Sequence, residues 1–186
     1  MLHLRRPSAV VLARLVAAQS GLGLTYPEVG ATATAMPARY WHGRWRADLG
    51  EYSDARLHRA SAALRGWAAQ LGAGMTVVPD EPVRPDLTFA LALPLPLGWA
   101  TAAGRVVYVT DEPERFGFAY GTLPAHPERG EEAFHVARDG ARLVFTVQAF
   151  SRPQHPLARL GAPVARLIQL RTNQAYLTAM RAAVGC

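Results

Sequence analysis

Between Tyr120 and Phe134 the chain reads YGTLPAHPERGEEAF, which crowds His126, Arg129, Glu128, Glu131 and Glu132 between two apolar runs. A neutral imidazole close to a carboxylate can exchange a proton with a bound molecule, because histidine titrates near neutral pH. The same residues can equally fasten a turn, since two prolines and a glycine fix a rigid loop between paired strands. Strand alternation sends Glu131 and Glu132 to opposite faces, so at most one of them meets a ligand; the other is expected to be solvated or paired with Arg129. In the preceding FGFAYG, alternation places Phe116, Phe118 and Tyr120 on one side and Gly117, Ala119 and Gly121 on the other. The bulky side is either core or a cavity wall with the Tyr120 hydroxyl as its polar handle, and the bare side admits another backbone closely. Phe134 and Phe145 join the candidate wall by the same alternation on neighbouring strands.

Two further stretches carry polar groups. In SRPQHP, Ser151 and Arg152 are placed to satisfy backbone groups or to hold Glu128 or Glu132, because a guanidinium matches a carboxylate with two parallel hydrogen bonds. His155 and His126 each precede a proline, but two histidines with no third ligand at suitable spacing make no metal site. In YPEVG, Glu28 either reaches the mouth of a cavity or rides on a segment that packs Tyr26 and Val29 onto the body of the protein. The chain has no glycine-rich phosphate loop and no nucleophile-elbow serine, and no cofactor is expected.

These groups need a scaffold. With 186 residues, 50% hydrophobic and 18% charged, the chain suits a single domain spanning 1–186 that buries roughly two-thirds of its unfolded surface. Its basic residues are all arginine, and the formal net charge is +6. They are spread along the chain, and nucleic-acid binding is not expected without a clustered patch. The lone cysteine, Cys186, forms no internal disulfide, which fits a reducing, cytoplasmic setting. No stretch reaches the roughly 18 uninterrupted apolar residues of a membrane span.

Residues 1–35 read as an N-terminal helix, started by Pro7 and Ser8 with Val11, Leu12, Leu15 and Val16 on one face, followed by an extended wrapping loop. Arg14 interrupts the apolar run, which argues against a signal peptide. Tyr40 to Leu49 is expected as a strand. Ser53 caps a helix with Leu57, Ala60, Leu64, Trp67 and Leu71 on one face, ending at Gly72 and Gly74. Strands follow near Met75–Val78, Asp86–Leu93, Trp99–Ala102, Arg105–Thr110, Arg115–Gly121, Glu131–Arg138 and Ala141–Ala149, with Asp139-Gly140 the strongest turn signal. Leu157 to Val184 forms a long terminal helix, which Pro163 either begins or kinks, since an interior proline costs about 3 kcal/mol. The order predicts an α+β fold in which a curved antiparallel sheet wraps a C-terminal helix and leaves a cavity between them.

Three motifs in order, TYPEVGAT (Thr25–Thr32), FGFAYGTLPAHPERGEEAF (Phe116–Phe134) and AFSRPQHPLARLGAPVARLIQ (Ala149–Gln169), resemble the domain-of-unknown-function family numbered nineteen-ninety, found in bacteria and plants. Ala125 stands where that family usually has glycine, and Ala68-Ala69 where it has Met-His. The resemblance implies a helix-grip domain similar to the START and birch-pollen-allergen superfamily, whose members hold hydrophobic ligands between sheet and helix. It implies no reaction. The expected partner is a small hydrophobic or amphipathic molecule. An enzyme using His126 or Glu131 in the same cavity, and a surface-binding module using Arg159, Arg166, Arg171 and Arg181, are the alternatives.

Overall fold

A computed structural model describes residues 1–154 and 162–185, with the side chains of 162–165 left aside. Expectations for His155, Leu157, Arg159 and Cys186 fall outside the described residues. Strand β1 (Leu2–His3) precedes helix α1 (Ala9–Gln19), and a wrapping segment with one short 3-10 turn (Ala31–Ala33) leads to β2 (Trp41–Glu51). Helices α2 (Asp54–Arg65) and α3 (Ala68–Gly72) come next. The chain continues through β3 (Thr76–Val78), β4 (Thr88–Leu95), β5 (Gly98–Glu112), β6 (Arg115–Thr122), β7 (Glu128–Asp139), β8 (Arg142–Pro153) and α4 (Ala162–Val184). The sheet runs β2-β8-β7-β6-β5-β4-β3, and β1 pairs with β5. Neighbours are antiparallel throughout, so the expected α+β arrangement is present. Register shifts between Asp48 and Glu51 and between Val106 and Tyr108 mark bulges, the local device that bends a strand.

Capping chemistry starts the first two helices. The Ser8 side chain accepts from the Val11 amide and that of Ser53 from the Arg56 amide. Pro163 lies in the first turn of α4, where its missing N–H sacrifices no bond, so it begins the helix rather than kinking it.

The inner sheet face packs against α2, α3 and α4, joining Leu57, Leu64, Phe118, Phe134, Phe145, Tyr176 and Met180 in one core. The outer face is covered twice. Leu12 of α1 sits on Ala90 and Ala92 of β4, and Tyr26 and Tyr40 of the wrapping segment sit on Phe150 of β8. Ring centroids in this second cluster are 5.5 Å apart for Tyr26–Phe150 and 5.0 Å for Tyr40–Phe150, both edge-to-face.

Three expectations are corrected. The strands placed at Trp99–Ala102 and Arg105–Thr110 are one, β5; Gly104 between them does not break it but makes room, since a Cβ there would meet Phe89 Cζ at 2.8 Å. The helix expected from Ser53 to Gly72 is two, because Trp67 adopts a left-handed φ of 62°. That turn brings its ring to 4.7 Å from Phe89 and 5.3 Å from Phe118 and lets the indole N–H donate to the Glu81 carbonyl at 2.9 Å, which offsets the backbone cost. Finally, β7 begins three residues earlier than expected and β8 ends later, at Pro153, because Glu128 to Gly130 pair with Ser151 to Pro153.

Candidate functional site

Between the inner face and α4 lies a cavity of about 350 Å³. Leu91, Leu93 and Leu95 alternate along β4 into its wall, opposite Ile168 on α4, while the short side chains of Ala100, Ala102 and Ala149 leave the space. Tyr120 and Glu132 reach it from β6 and β7, His126, Pro127 and Glu128 from the loop and the start of β7, and Gln169, Thr172, Asn173 and Tyr176 from α4.

The polar centre is Tyr120 with Glu132. They are cross-strand partners, and the Tyr120 hydroxyl donates to Glu132 Oε2 in a short hydrogen bond. Burial pushes the Glu132 carboxyl up to about 7; the Tyr120 bond pulls it down, and the neighbouring Glu128 raises it further. Burial likewise carries the hydroxyls of Tyr120 and Tyr176 well above the ordinary phenol range, and each acts on the other. Tyr176 also points its hydroxyl at Met75 Sδ, 3.7 Å away. Glu128 is raised by burial, and the Ser151 hydroxyl, bonded to it, partly offsets this.

His126 lines the cavity and is no free base. Desolvation lowers it to about 4, opposed only in part by its bond to the Glu128 backbone. Its Nδ1 lies 3.1 Å from the Glu128 amide and 3.0 Å from the Glu128 carbonyl. With Nδ1 accepting from the amide, Nε2 carries the hydrogen.

Glu131 turns the other way. Its carboxylate accepts from the Tyr26 hydroxyl at 2.6 Å, the Gly30 amide at 2.7 Å, and both the amide (3.0 Å) and hydroxyl (2.5 Å) of Thr32. It is 2% exposed. The expectation that the outward glutamate is solvated or paired with Arg129 is therefore corrected: the wrapping segment supplies four donors, and Arg129 Nε is buried without a partner. Glu131 is thus tied to the wrapping segment, and Glu132 is the glutamate bonded to Tyr120.

Phe116, Phe118, Phe134 and Phe145 are corrected from cavity wall to solid core. Phe118 and Phe134 stack at 5.3 Å, Tyr176 meets Phe134 edge-on at 5.3 Å, and the Arg65 guanidinium lies 4.3 Å over Phe116. Helical side chains fill the space that alternation alone left open. Arg152 does not clamp Glu128 or Glu132; it lies 4.8 Å over the ring of Tyr40, whose hydroxyl donates to Glu28 at 2.8 Å. Glu28 is thus tied to the outer face, and Val29 is 51% exposed rather than packed. Of the terminal helix's arginines, Arg166 rests 4.3 Å over Trp41.

Sequence reasoning missed the leucines of β4 and the α4 residues Asn173 and Tyr176. The alternation in LTFALALPL was a readable signal for the first. For the second, helical spacing alone does not say which turn of a long helix faces a gap.

Among the described residues no helix is long and apolar enough to cross a membrane. A "UPF0548 protein" of Deinococcus radiodurans is 33% identical over 201 aligned residues, covering 100% of both chains. Among solved structures, a hypothetical protein of Helicobacter pylori superposes with a TM-score of 0.56 at 11% identity, covering 86% of this chain and 95% of that one. The Zhui aromatase/cyclase of a Streptomyces species superposes with a TM-score of 0.53 at 12% identity, covering 78% and 93%. These likenesses show the fold, a helix-grip fold of the kind also found in Ara h 8.0201. The model of the family described as Domain of unknown function (DUF1990) matches residues 25–179, and by that match and the full-length relative this chain belongs to that family.

Proposed function

We propose that this protein binds a small hydrophobic or amphipathic molecule in the space between its sheet and α4. The observation that carries the reading is the lining: leucine, isoleucine and alanine side chains on most sides, with a few converging polar groups centred on Tyr120 and Glu132. Such a combination is typical of ligand sites, where apolar burial supplies about 25 cal/mol per Å² and polar groups set orientation. The test is native mass spectrometry after incubation with a cell extract, comparing the parent chain with Ala149→Phe, which fills the space from β8. Retention of a small molecule by the parent and its loss in the variant, with the melting temperature of both recorded, is the expected result. Failure of the parent to retain any molecule overturns the proposal.

A second reading, acid–base chemistry at the same place, is favoured by one observation. The Glu132 carboxyl, held near neutrality by burial, is hydrogen-bonded to a tyrosine that can stabilise a developing negative charge. The structurally similar aromatase/cyclase is named for a reaction, so this architecture accommodates one. Turnover of a retained molecule by the parent chain, abolished in Glu132→Gln at concentrations that saturate the variant, distinguishes the enzyme from the binder.

A further inference from the structure

The cavity's hydrogen-bonding groups are unequally matched. The chain carries 20 basic residues, all arginine, yet among the described residues none lines the cavity, whereas Glu128 and Glu132 both do. The Tyr120 proton is committed to one oxygen of Glu132. The Asn173 amide gives its Nδ2 hydrogen to the Gln169 carbonyl at 2.9 Å and leaves Oδ1 buried without a donor. The Met1 ammonium, near enough to His126 to lower it, is bonded to the Thr101 carbonyl at 3.1 Å; the side chains acting on Glu132 are Tyr120 and Glu128. Among the described residues that line the cavity, the buried side-chain polar atom left without a partner is this acceptor, Asn173 Oδ1, and a buried acceptor left unmatched weakens the fold.

Asn173 stands three residues before Tyr176 on α4, so both lie on one face of the helix. Tyr176 in turn feels the charge of Glu132. The carboxyl and the unmatched amide oxygen belong to residues that line the same cavity, together with Tyr120 and Tyr176.

Resting on the reading of this space as a ligand site, we infer that the ligand is an amphipathic amine, its protonated nitrogen donating to Glu132 and Asn173 and its apolar body lying along Leu91, Leu93 and Ile168. A primary ammonium brings three donors and no acceptor, which suits a carboxylate and an unmatched amide oxygen. Its charge also holds Glu132 ionised against the burial that favours the neutral acid.

The experiment compares n-decylamine, n-decanol and decanoate, all below their micellar concentrations, by isothermal titration calorimetry at pH 7.5. The amine is expected to bind at least about tenfold more tightly than the alcohol, the gain of a charge-assisted hydrogen bond, and decanoate most weakly. Glu132→Gln is expected to bring the amine to the alcohol's level. Asn173→Leu, which does not touch the carboxyl, is expected to narrow the amine-to-alcohol ratio by itself and serves where Glu132→Gln fails to fold by circular dichroism. If the alcohol or decanoate binds as well as the amine, or if both variants keep the parent's ratio, the amine assignment is overturned and the cavity remains a ligand site. If none of the three binds, both are overturned.

Discussion

The Tyr26 hydroxyl donates to Glu131 Oε2 at 2.6 Å, joining residues 105 positions apart. With the Gly30 amide and both donors of Thr32 on the same carboxylate, the segment that gives TYPEVGAT its pattern is strapped to β7. A carboxylate stripped of water is stable only where such donors replace the solvent.

Removing that acceptor leaves the donors stranded. Glu131→Leu is expected to lower stability by about 3 kcal/mol or more and Tyr26→Phe by about 1–2 kcal/mol. Urea denaturation of both and of the double variant gives a cycle, and additive effects would show that the two residues do not interact.

Gly121 faces the same strap. A Cβ there would lie 2.3 Å from the Tyr26 hydroxyl and 2.9 Å from Leu24 Cδ2, so Gly121→Ala is expected to cost about 1–3 kcal/mol through overpacking. Its control is Gly21→Ala, where nothing lies within 4 Å and the melting temperature is expected to hold. Limited proteolysis should cut the variant faster within residues 20–40 than it cuts the parent.

The titration of Glu132 leaves a mark on stability. Its carboxyl ionises near 7 in the folded chain against 4.5 for the free group, so the folded state holds the proton more tightly. That contribution is fully present below about 4.5 and is lost as pH rises through 7. Glu132→Gln is therefore expected to gain on the parent between these values, by up to about 3 kcal/mol at pH 8. His126 and His135, both lowered to about 4 by burial, act with the opposite sign, their contribution falling away as pH drops from 6.5. They are common to both proteins and cancel in the difference. Equal denaturation midpoints for the two at pH 8 would contradict the burial of Glu132.

Trp67 holds α2 and α3 onto the sheet through Phe89 and Phe118. Trp67→Ala is expected to cost about 3–5 kcal/mol, read from the thermal midpoint.

The architecture was legible because period-two and helical spacing are local signals. FGFAYG, and Leu57, Ala60 and Leu64 on the helix that Ser53 caps, declare which side of each element is buried. The opposite destinations of Glu131 and Glu132 followed from alternation too. What partner each would find did not, because Tyr26 and Thr32 lie about a hundred residues away and no spacing rule connects them. The same limit explains the phenylalanines. Alternation says that Phe118 and Phe134 point inward, but whether they meet a ligand or Trp67 depends on a backbone turn at Trp67 that propensity disfavours.

Consecutive glutamates on one strand, one knotted into the strap and one hanging inside the chamber, share a single peptide plane. A molecule bound in the chamber, as proposed above, would steady the stretch of backbone that both side chains share. Amide hydrogens of Gly30 and Thr32, which end on Glu131, should exchange with deuterium more slowly once the chamber is filled, making the outer surface a gauge of the inner one.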